Sequence, residues 1–247
     1  MKKLLLKLRS ALFRGIFFCA YLPLAVIYRP RIVYTDEAAK QALRSPCIII
    51  CNHTSHKDGL LISRLLLKYR VFTFVAKDWY EKPALRPLFS SLNYIPLDRF
   101  SFDTQWLDAG LERLKNGNPL LIFPEGRTSK TGVMHPFHYG FLYIAKRAGV
   151  PIVKTCLICD YKPFHRQKLI IGSLFERDLN AKGRPSAVLG GYAAECRAEL
   201  EELIRDNGGP VVLQTEAEKT EAPAAPSQPD NQESVSSAES TPPMAKL

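Results

Sequence analysis

The sequence predicts an α/β fold, in which a layered, mostly parallel mixed sheet is flanked by helices and preceded by an N-terminal membrane-associated helical segment. Two observations indicate the sheet. Short apolar runs of strand character alternate with helical segments between residues 46 and 205, and 247 residues are enough to bury a sizeable core. A third observation, a basic and apolar stretch at the N-terminus, predicts the membrane-associated segment.

The alternation gives each element its place along the chain. Strands are predicted at 46–51, 71–76, 94–97, 120–123, 151–159 and 167–171. Helices are predicted at 59–67, 84–92, 104–115, 141–147 and 187–205. Buried strands separated by helices are typical of parallel pairing, and sites in such sheets form where strands give way to loops.

Charge divides the chain into three regions: an anchor at 1–28, a folded domain at 29–206 and an acidic tail at 207–247. The whole chain carries a formal charge of +10. The tail has six acids against two lysines, a net −4, which leaves +14 for residues 1–206. Such a basic body requires an anionic partner, which can be nucleic acid, anionic lipid or a phosphorylated substrate. The tail is rich in Ala, Pro, Ser, Gln and Glu from Thr215 onward, and this composition predicts disorder.

The N-terminal region indicates an anchor that does not span the membrane. The uncharged run 15–28 would reach about 21 Å as a helix, short of a hydrocarbon core of about 30 Å, and Pro23 would kink it. Basic residues on both sides favour an interfacial or re-entrant segment on the cytoplasmic face of a membrane, which makes the protein monotopic or peripheral. A cleaved signal peptide is disfavoured by Arg29-Pro30-Arg31, where a small-residue cleavage site is expected. An ordinary buried core helix remains the alternative.

The segment from Asn52 to Asp58 offers a base and a carboxylate. His53 can take a proton from a hydroxyl if one ring nitrogen is free, and Asp58 can orient the ring from the other nitrogen. The competing interpretation is structural, because Ser55-x-x-Asp58 before an apolar run is also a helix capping box.

A second segment, Phe123 to Ser129, suits an anionic group. Gly126 permits close backbone approach, and Arg127 offers a planar fork to phosphate oxygens. A plain turn with a surface ion pair is the alternative. Since His53 and Glu125 each follow a predicted strand directly, we expect both at the same edge of the sheet.

Four sequence blocks resemble those of the glycerolipid acyltransferase family, which is best known for the 1-acylglycerol-3-phosphate acyltransferases. The blocks occur along this chain in the family's order. They cover roughly residues 46–160. In chain order, the matching blocks are Asn52, His53, Ser55 and Asp58, then the apolar-Asp-Arg triplet Leu97-Asp98-Arg99, then Phe123–Ser129, and last Val150-Pro151-Ile152-Val153. In the third block, Arg127 and Thr128 stand in the reverse of the family's usual order.

The resemblance implies that residues 29–206 form an acyltransferase domain. It implies a fatty acyl transfer from acyl-CoA or acyl-carrier protein to the free hydroxyl of 1-acylglycerol-3-phosphate, giving phosphatidate in phospholipid biosynthesis. No cofactor, metal or nucleic acid is expected. His53 and Asp58 would be catalytic. The acceptor phosphate would be bound by Arg127, with Arg99 and Lys77 as weaker candidates, in a pocket that Glu125 and Gly126 shape.

The sequence departs from the family pattern at three positions, which leaves the acceptor headgroup open. Asn93 replaces a usual glycine, His138 a frequent lysine and Lys154 an expected proline. Another lysophospholipid or glycerol-3-phosphate is therefore an alternative acceptor.

Other kinds of protein are weakly supported. His53-x-x-His56-x-Asp58 gives a remote alternative, a metal-dependent hydrolase, and the charge alone permits a non-catalytic lipid- or nucleic-acid-binding protein. Nucleophile-elbow and phosphate-loop motifs are missing from the sequence. Six cysteines, several in predicted strands, suit a reducing cytosol, and His135 and His165 are expected to be solvated loop residues.

Overall fold

Three consecutive isoleucines, Ile48–Ile50, form the central strand of the sheet, and all three are fully buried. Ile48 and Ile50 belong to one apolar cluster, whereas Ile49 belongs to another. Because successive side chains of a strand point to opposite faces, the two clusters lie on the two faces of the sheet. The sheet is therefore the middle of three layers.

The computed structural model describes residues 30–83, 85–98, 105–129, 131–162 and 164–210, together with Leu12 and Gly15. The strands are β1 (Arg31–Tyr34), β2 (Ile48–Ile50), β3 (Phe72–Ala76), β4 (Tyr94–Leu97), β5 (Leu120–Ile122), β6 (Ile152–Ile158) and β7 (Lys168–Phe175). The helices are α1 (Glu37–Ala42), α2 (Asp58–Leu65), α3 (Lys77–Tyr80), α4 (Arg86–Ser91), α5 (Gln105–Lys115), α6 (Gly140–Ala148) and α7 (Pro185–Asp206), with a short 3-10 helix at Leu67–Tyr69.

The seven strands lie in the order β1-β7-β6-β2-β5-β3-β4. Neighbouring strands pair in parallel except β6 and β7, which are antiparallel. Strands β2 to β6 therefore all end at one edge of the sheet, which we call the carboxyl edge. The prediction of a mostly parallel mixed sheet flanked by helices is confirmed.

Helices cover both faces of the sheet. Leu107 of α5, Phe141 of α6 and Ala193 of α7 pack in the cluster that contains Ile48 and Ile50. Ala39 of α1 and Ile62 of α2 pack in the cluster with Ile49. The apolar stripes of the helices thus meet a sheet that is apolar on both sides, and this burial is the main stabilising contribution to the domain.

The structure adds four elements that the sequence did not predict, which are β1, α1, α3 and the 3-10 helix, and it extends β7 at its C-terminal end. Strand β1 is a short edge strand with alternating exposure, so its apolar signal is weak. Helix α1 begins with a local cap, since Asp36 Oδ1 accepts a hydrogen bond from the Ala39 N–H at 2.7 Å. Helix α3 has only four residues, and β7 extends beyond the predicted 167–171 because its antiparallel pairing with β6 continues to Phe175.

The predicted anchor and tail fall almost entirely outside the described residues. Leu12 and Gly15 are helical, and the other residues of 1–28 and all of 211–247 are not described. Within the described ranges, the helices are too short or too polar to cross a membrane. The three-region division of the chain stays a prediction.

Candidate active site

The two sequence motifs leave the sheet side by side. Strands β2 and β5 are parallel neighbours, with Ile50 opposite Ile122. The loop that carries His53 and the loop that carries Glu125 therefore start at the same height of the carboxyl edge. The expectation that both residues lie on one edge is confirmed.

The second motif holds the backbone of His53 from both sides. Glu125 Oε1 accepts a hydrogen bond from the His53 N–H at 2.8 Å, and the Ser129 N–H donates to the His53 carbonyl at 2.7 Å. Glu125 Oε2 accepts from the His135 N–H at 2.9 Å. Burial raises the pKa of the Glu125 carboxyl, and these backbone donors oppose that rise.

His53 and Asp58 form the predicted pair. His53 Nδ1 lies 3.1 Å from Asp58 Oδ2, and the Asp58 side chain is buried. The backbone N–H groups of Thr54 and Ser55 donate to the same oxygen at 2.7 and 2.8 Å. A carboxylate oxygen with such donors is an acceptor, which assigns the ring proton to Nδ1 and leaves Nε2 of His53 free to act as a base.

The capping interpretation of Asp58 is half right. Asp58 is the first residue of α2, and its carboxylate does reach back to the Ser55 N–H. In a capping box, the Ser55 side chain would also accept a hydrogen bond from the Asp58 N–H. Here the Asp58 N–H donates to the Ser55 carbonyl instead, and Ser55 Oγ accepts from the Lys57 N–H at 3.3 Å. One carboxylate therefore serves the turn and the histidine together.

Stacking fixes the plane of the His53 ring. The ring lies on Phe123, with centroids 4.1 Å apart and planes 21° from parallel. Both side chains line a groove of about 560 Å³. Phe123 thereby joins the Nδ1 contact in setting where Nε2 points.

The groove has both polar and apolar lining residues. Its polar lining includes His53, Arg127 and His138. The apolar lining is supplied by α3 to α6 and the strands they cover: Phe74, Val75, Trp79, Leu85, Leu88, Phe89, Leu97, Trp106, Phe141 and Ile144. The same groove therefore brings together a base, a guanidinium and an apolar lining suited to a hydrocarbon chain.

Three cations were predicted to bind phosphate, and they differ in position. Arg127 is exposed and lines the groove, and its Nη2 lies 3.2 Å from His135 Nδ1. Lys77 is exposed at the start of α3, where its Nζ contacts Asp98 Oδ2 at 3.5 Å, and Asp98 lines the groove. Arg99 lies outside the described residues.

His135 differs from its prediction as a solvated loop residue. It is half-buried, its backbone N–H bonds to Glu125, and its Nδ1 meets Arg127. His135 thus connects the acid behind His53 with the cation in front of it. His165 is exposed as predicted, with its Nδ1 2.6 Å from Asp160.

Gly126 is required by its own conformation. Its φ is +68°, and a Cβ there would lie 3.2 Å from Cδ2 of His138. The His138 backbone N–H donates to the Pro124 carbonyl at 2.9 Å, and its side chain is exposed. A side chain at position 126 would therefore meet backbone strain and crowd the His138 ring.

Two residues outside the predicted set support the pair. Asn52 bonds twice to Leu157 of β6, accepting from its N–H at 2.8 Å and donating to its carbonyl at 3.1 Å. Tyr161, three residues beyond β6, donates its hydroxyl to Asp58 Oδ1 at 2.5 Å. Burial and the adjacent Asp58 charge raise the pKa of Tyr161 well above its usual value, so the phenol keeps its proton. Its sequence separation of 103 residues from Asp58 left no local signal.

The metal-site alternative gains no support from the described residues. Within these ranges no group of three His, Cys, Asp or Glu side chains could hold an ion. His56 stacks instead on Trp79, at 5.6 Å between centroids. Burial raises the pKa of Cys156 to about 12 and that of Cys159 to about 11, so both remain thiols.

Comparison with known proteins identifies relatives over the domain that carries this site. The family model described as Acyltransferase matches residues 31–157. A 1-acyl-sn-glycerol-3-phosphate acyltransferase of Cocos nucifera is 35% identical over 132 residues, which cover 49% of this chain and 40% of that protein. A chloroplastic 1-acyl-sn-glycerol-3-phosphate acyltransferase of Brassica napus is 32% identical over 46% of this chain and 33% of its own length. The chain thus spans well under half of these two relatives.

A solved structure shares the fold. The crystal structure of the 1-acyl-sn-glycerophosphate acyltransferase from Thermotoga maritima matches with a TM-score of 0.50 and 19% identity, over 81% of this chain and 80% of that one. At this identity the match supports the architecture alone.

Two of the three departures from the family pattern have structural explanations. Asn93 has a φ of +62°, and asparagine tolerates this glycine-like conformation. Lys154 is buried in β6 and forms an ion pair with Glu199 of α7. His138, in contrast, lines the groove beside Arg127, so the remaining departure lies on the substrate side.

Proposed function

This chain belongs to the acyltransferase family, and we propose that it moves a fatty acyl group from an acyl thioester to the free hydroxyl of 1-acylglycerol-3-phosphate, giving phosphatidate. The observation that carries the proposal is the His53–Asp58 pair at 3.1 Å, whose histidine lines a largely apolar groove together with Arg127. A base, an anion-binding fork and a chain-sized slot are the parts that this acceptor requires.

His53 acts as the general base in this proposal. Its free Nε2 removes the proton of the acceptor hydroxyl while the oxygen attacks the thioester carbonyl. The new C–O bond forms, the C–S bond breaks, and the proton on His53 passes to the leaving thiolate. Asp58 stabilises the imidazolium between these steps, so no acyl-enzyme intermediate is needed.

The groove supports a monoacylated, phosphorylated acceptor. Arg127 offers its guanidinium to the phosphate, with Lys77 and Arg99 as secondary candidates. The acceptor's own acyl chain lies against the apolar lining, beyond His53. The apolar lining offers the acyl chain of a lysolipid a contact that glycerol-3-phosphate cannot make, which favours the lysolipid among phosphorylated acceptors.

The groove also bears on the choice among lysolipids. His138 stands beside Arg127 where the family often has a lysine, so the headgroup site carries less fixed charge than expected. A lysophospholipid with a substituted phosphate is accordingly the second candidate acceptor. The donor is acyl-CoA or acyl-carrier protein as co-substrate, without a further cofactor.

We place the enzyme on the cytoplasmic face of a membrane, held by residues 1–28. Exposed aromatic side chains on the carboxyl edge support a membrane-facing orientation of the active site. Trp79 is 37% exposed, with Lys82 Nζ 4.0 Å from its ring centre. Phe164 is 75% exposed, in the loop that follows β6, between the exposed cations Lys162 and Arg166. Aromatic rings next to cations suit an anionic lipid surface.

An acceptor panel tests the function. The purified protein is given a labelled acyl-CoA or acyl-carrier protein with lysophosphatidate, glycerol-3-phosphate, or zwitterionic and neutral lysolipids. We expect labelled phosphatidate from lysophosphatidate at the highest kcat/KM, and Arg127→Ala should raise the KM for this acceptor more than for a neutral one. Equal use of neutral and phosphorylated lysolipids would contradict the proposed acceptor site.

A further inference from the structure

Tyr161 occupies a position that its own backbone does not favour. Its φ is +54°, in the left-handed region that non-glycine residues rarely adopt. Such conformations persist where surrounding contacts determine them. The contact in this case is the hydroxyl, which reaches the buried Asp58 carboxylate at 2.5 Å. The loop is bent so that the ring points toward the catalytic pair.

The Tyr161 hydroxyl completes the set of donors around Asp58. Oδ2 already accepts from His53 Nδ1 and from two backbone N–H groups, while Oδ1 accepts from Tyr161. Without Tyr161, the described donors would hold the carboxylate through Oδ2 alone. A carboxylate bonded through both oxygens cannot rotate about its last torsion without breaking bonds on both sides.

We propose that Tyr161 is a positioning residue for the catalytic pair: its hydroxyl locks the orientation of the Asp58 carboxylate, and thereby keeps the His53 ring aimed at the acceptor hydroxyl. The inference rests on the proposed function for its rate consequences. Tyr161 itself does not line the groove and acts only through Asp58.

The surroundings of Tyr161 suit a fixed donor. Lys57 Nζ lies 5.4 Å from the ring centre, and the Cys159 thiol lies beside the hydroxyl. Asp58 and Cys159 lie at the hydroxyl and Lys57 lies over the ring, with His53 on the other oxygen of the Asp58 carboxylate. The Asp58 charge and the burial of the ring keep the phenol protonated, so its hydrogen bond is available throughout the neutral range.

Tyr161→Phe tests the inference, because it removes only the hydroxyl. We expect about a 10-fold loss of kcat with little change in KM, the effect of losing one hydrogen bond to a charged group. We also expect the acidic limb of the pH–rate profile to move, since the Asp58 carboxylate would lose a hydrogen bond that competes with the imidazolium for its negative charge. Tyr143→Phe, an exposed tyrosine on α6, is the matched control and should keep wild-type values.

A double mutant separates positioning from general stability. If Tyr161 acts through Asp58, the Asp58→Asn/Tyr161→Phe enzyme should be no slower than Asp58→Asn alone. Additive losses, or an unchanged pH–rate profile in Tyr161→Phe, would overturn the inference.

A spectroscopic measurement distinguishes failure here from failure of the proposed function. The Nδ1 proton of His53 should give a downfield NMR resonance that shifts in Tyr161→Phe and not in Tyr143→Phe, whatever the substrate. An inactive wild-type enzyme with a shifted resonance would overturn the proposed function and support the positioning role. An unchanged resonance would overturn the positioning role.

Discussion

The buried carboxylate of Glu125 accepts a hydrogen bond from the backbone N–H of His53 at 2.8 Å, across 72 residues of sequence. With Ser129 bonded to the His53 carbonyl at 2.7 Å, the second motif forms the backbone support of the first. The acid of this motif is thus placed behind the histidine, while Arg127 alone of the motif presents charge to the groove. Both motifs are needed for one geometry, which accounts for their joint occurrence.

Glu125→Gln should loosen this support. A glutamine offers one acceptor and one donor where Glu125 now meets two N–H donors, so one buried N–H group loses its partner. We expect a stability loss of about 1–3 kcal/mol and about a 10-fold lower rate of acyl transfer. Urea unfolding and initial rates measure the two effects. Glu195→Gln, at an exposed acid paired with Arg177, is the control and should change neither by a comparable amount.

The pH dependence of stability should also change at position 125. Because burial raises the pKa of Glu125 above 4.5, the folded state binds its proton more tightly than the unfolded state does. The contribution of Glu125 to the free energy of unfolding is therefore fully present below pH 4.5, and it is lost as the pH rises through the pKa of Glu125 in the folded state. The stability difference between wild type and Glu125→Gln should shrink over this window in a pH series of urea unfolding curves. A difference that grows with pH would contradict the assigned direction.

His53→Ala should abolish most of the transfer. A general base is worth roughly 10²–10⁴ in rate, and the buried Asp58 would lose its catalytic partner while keeping two backbone donors and Tyr161. The protein should stay folded by circular dichroism. His56→Ala is the comparison, since that ring stacks on Trp79 and should leave most of the activity. A dead His56 variant beside an active His53 variant would reverse the assignment of the base.

Asp58→Asn separates the two roles of this residue. The asparagine oxygen can still accept from the Thr54 and Ser55 N–H groups, so the start of α2 should survive. The charge that stabilises the imidazolium is lost, and we expect a rate loss of at least about 100-fold. Thermal unfolding and kcat are measured together. Near-normal kcat with a lowered melting temperature would show that capping is the only role of Asp58.

The sequence predicted the central part of the fold because its signals are local. Ile48–Ile50, the run before Glu125 and the amphipathic α5 each carry their own periodicity, and the structure places them as expected. Strand β1 and helix α3 escaped prediction because each is short and neither contains a buried apolar run. Short elements draw their stability from neighbours, which a sequence pattern does not display.

The candidate site was likewise predictable only where its residues lie in local sequence motifs. His53, Asp58, Glu125 and Gly126 lie in motifs with recognisable spacing. Tyr161 and the backbone contact of His135 depend on loops brought together by the sheet, and neither has a local signature. The Asn52–Leu157 pair is similar, since its two hydrogen bonds join a residue just after β2 to a residue of β6 that lies 105 positions later in the chain.

Gly126→Ala should raise the KM for the phosphorylated acceptor. The new Cβ would be held at a φ of +68° and 3.2 Å from His138, so the turn that presents Arg127 or the His138 ring in the same groove must shift. Gly149→Ala is a close control, because Gly149 has a φ of +64° but nothing within 4 Å of the added Cβ. Both variants should lose about 1–2 kcal/mol of stability from backbone strain. Only Gly126→Ala should change KM, and equal KM values would exclude a role for this turn in acceptor binding.

Deleting residues 1–28 should release the protein from anionic vesicles while some activity on detergent-dispersed lysolipid remains. The cations of this segment each contribute about 1 kcal/mol near an anionic surface, and salt screens that contribution, whereas the apolar run should bind independently of salt.

Phe164→Ala in the full-length chain should weaken vesicle binding more than Leu67→Ala does. Leu67 is the control because it is 44% exposed but lies shortly before β3 begins, at the opposite edge of the sheet. Vesicle co-sedimentation over a salt series measures both effects. If the truncated protein still bound vesicles tightly, the anchor would be disproved, and if it unfolded, residues 1–28 would be identified as part of the core. Equal losses of vesicle binding in the Phe164 and Leu67 variants would contradict the proposed orientation.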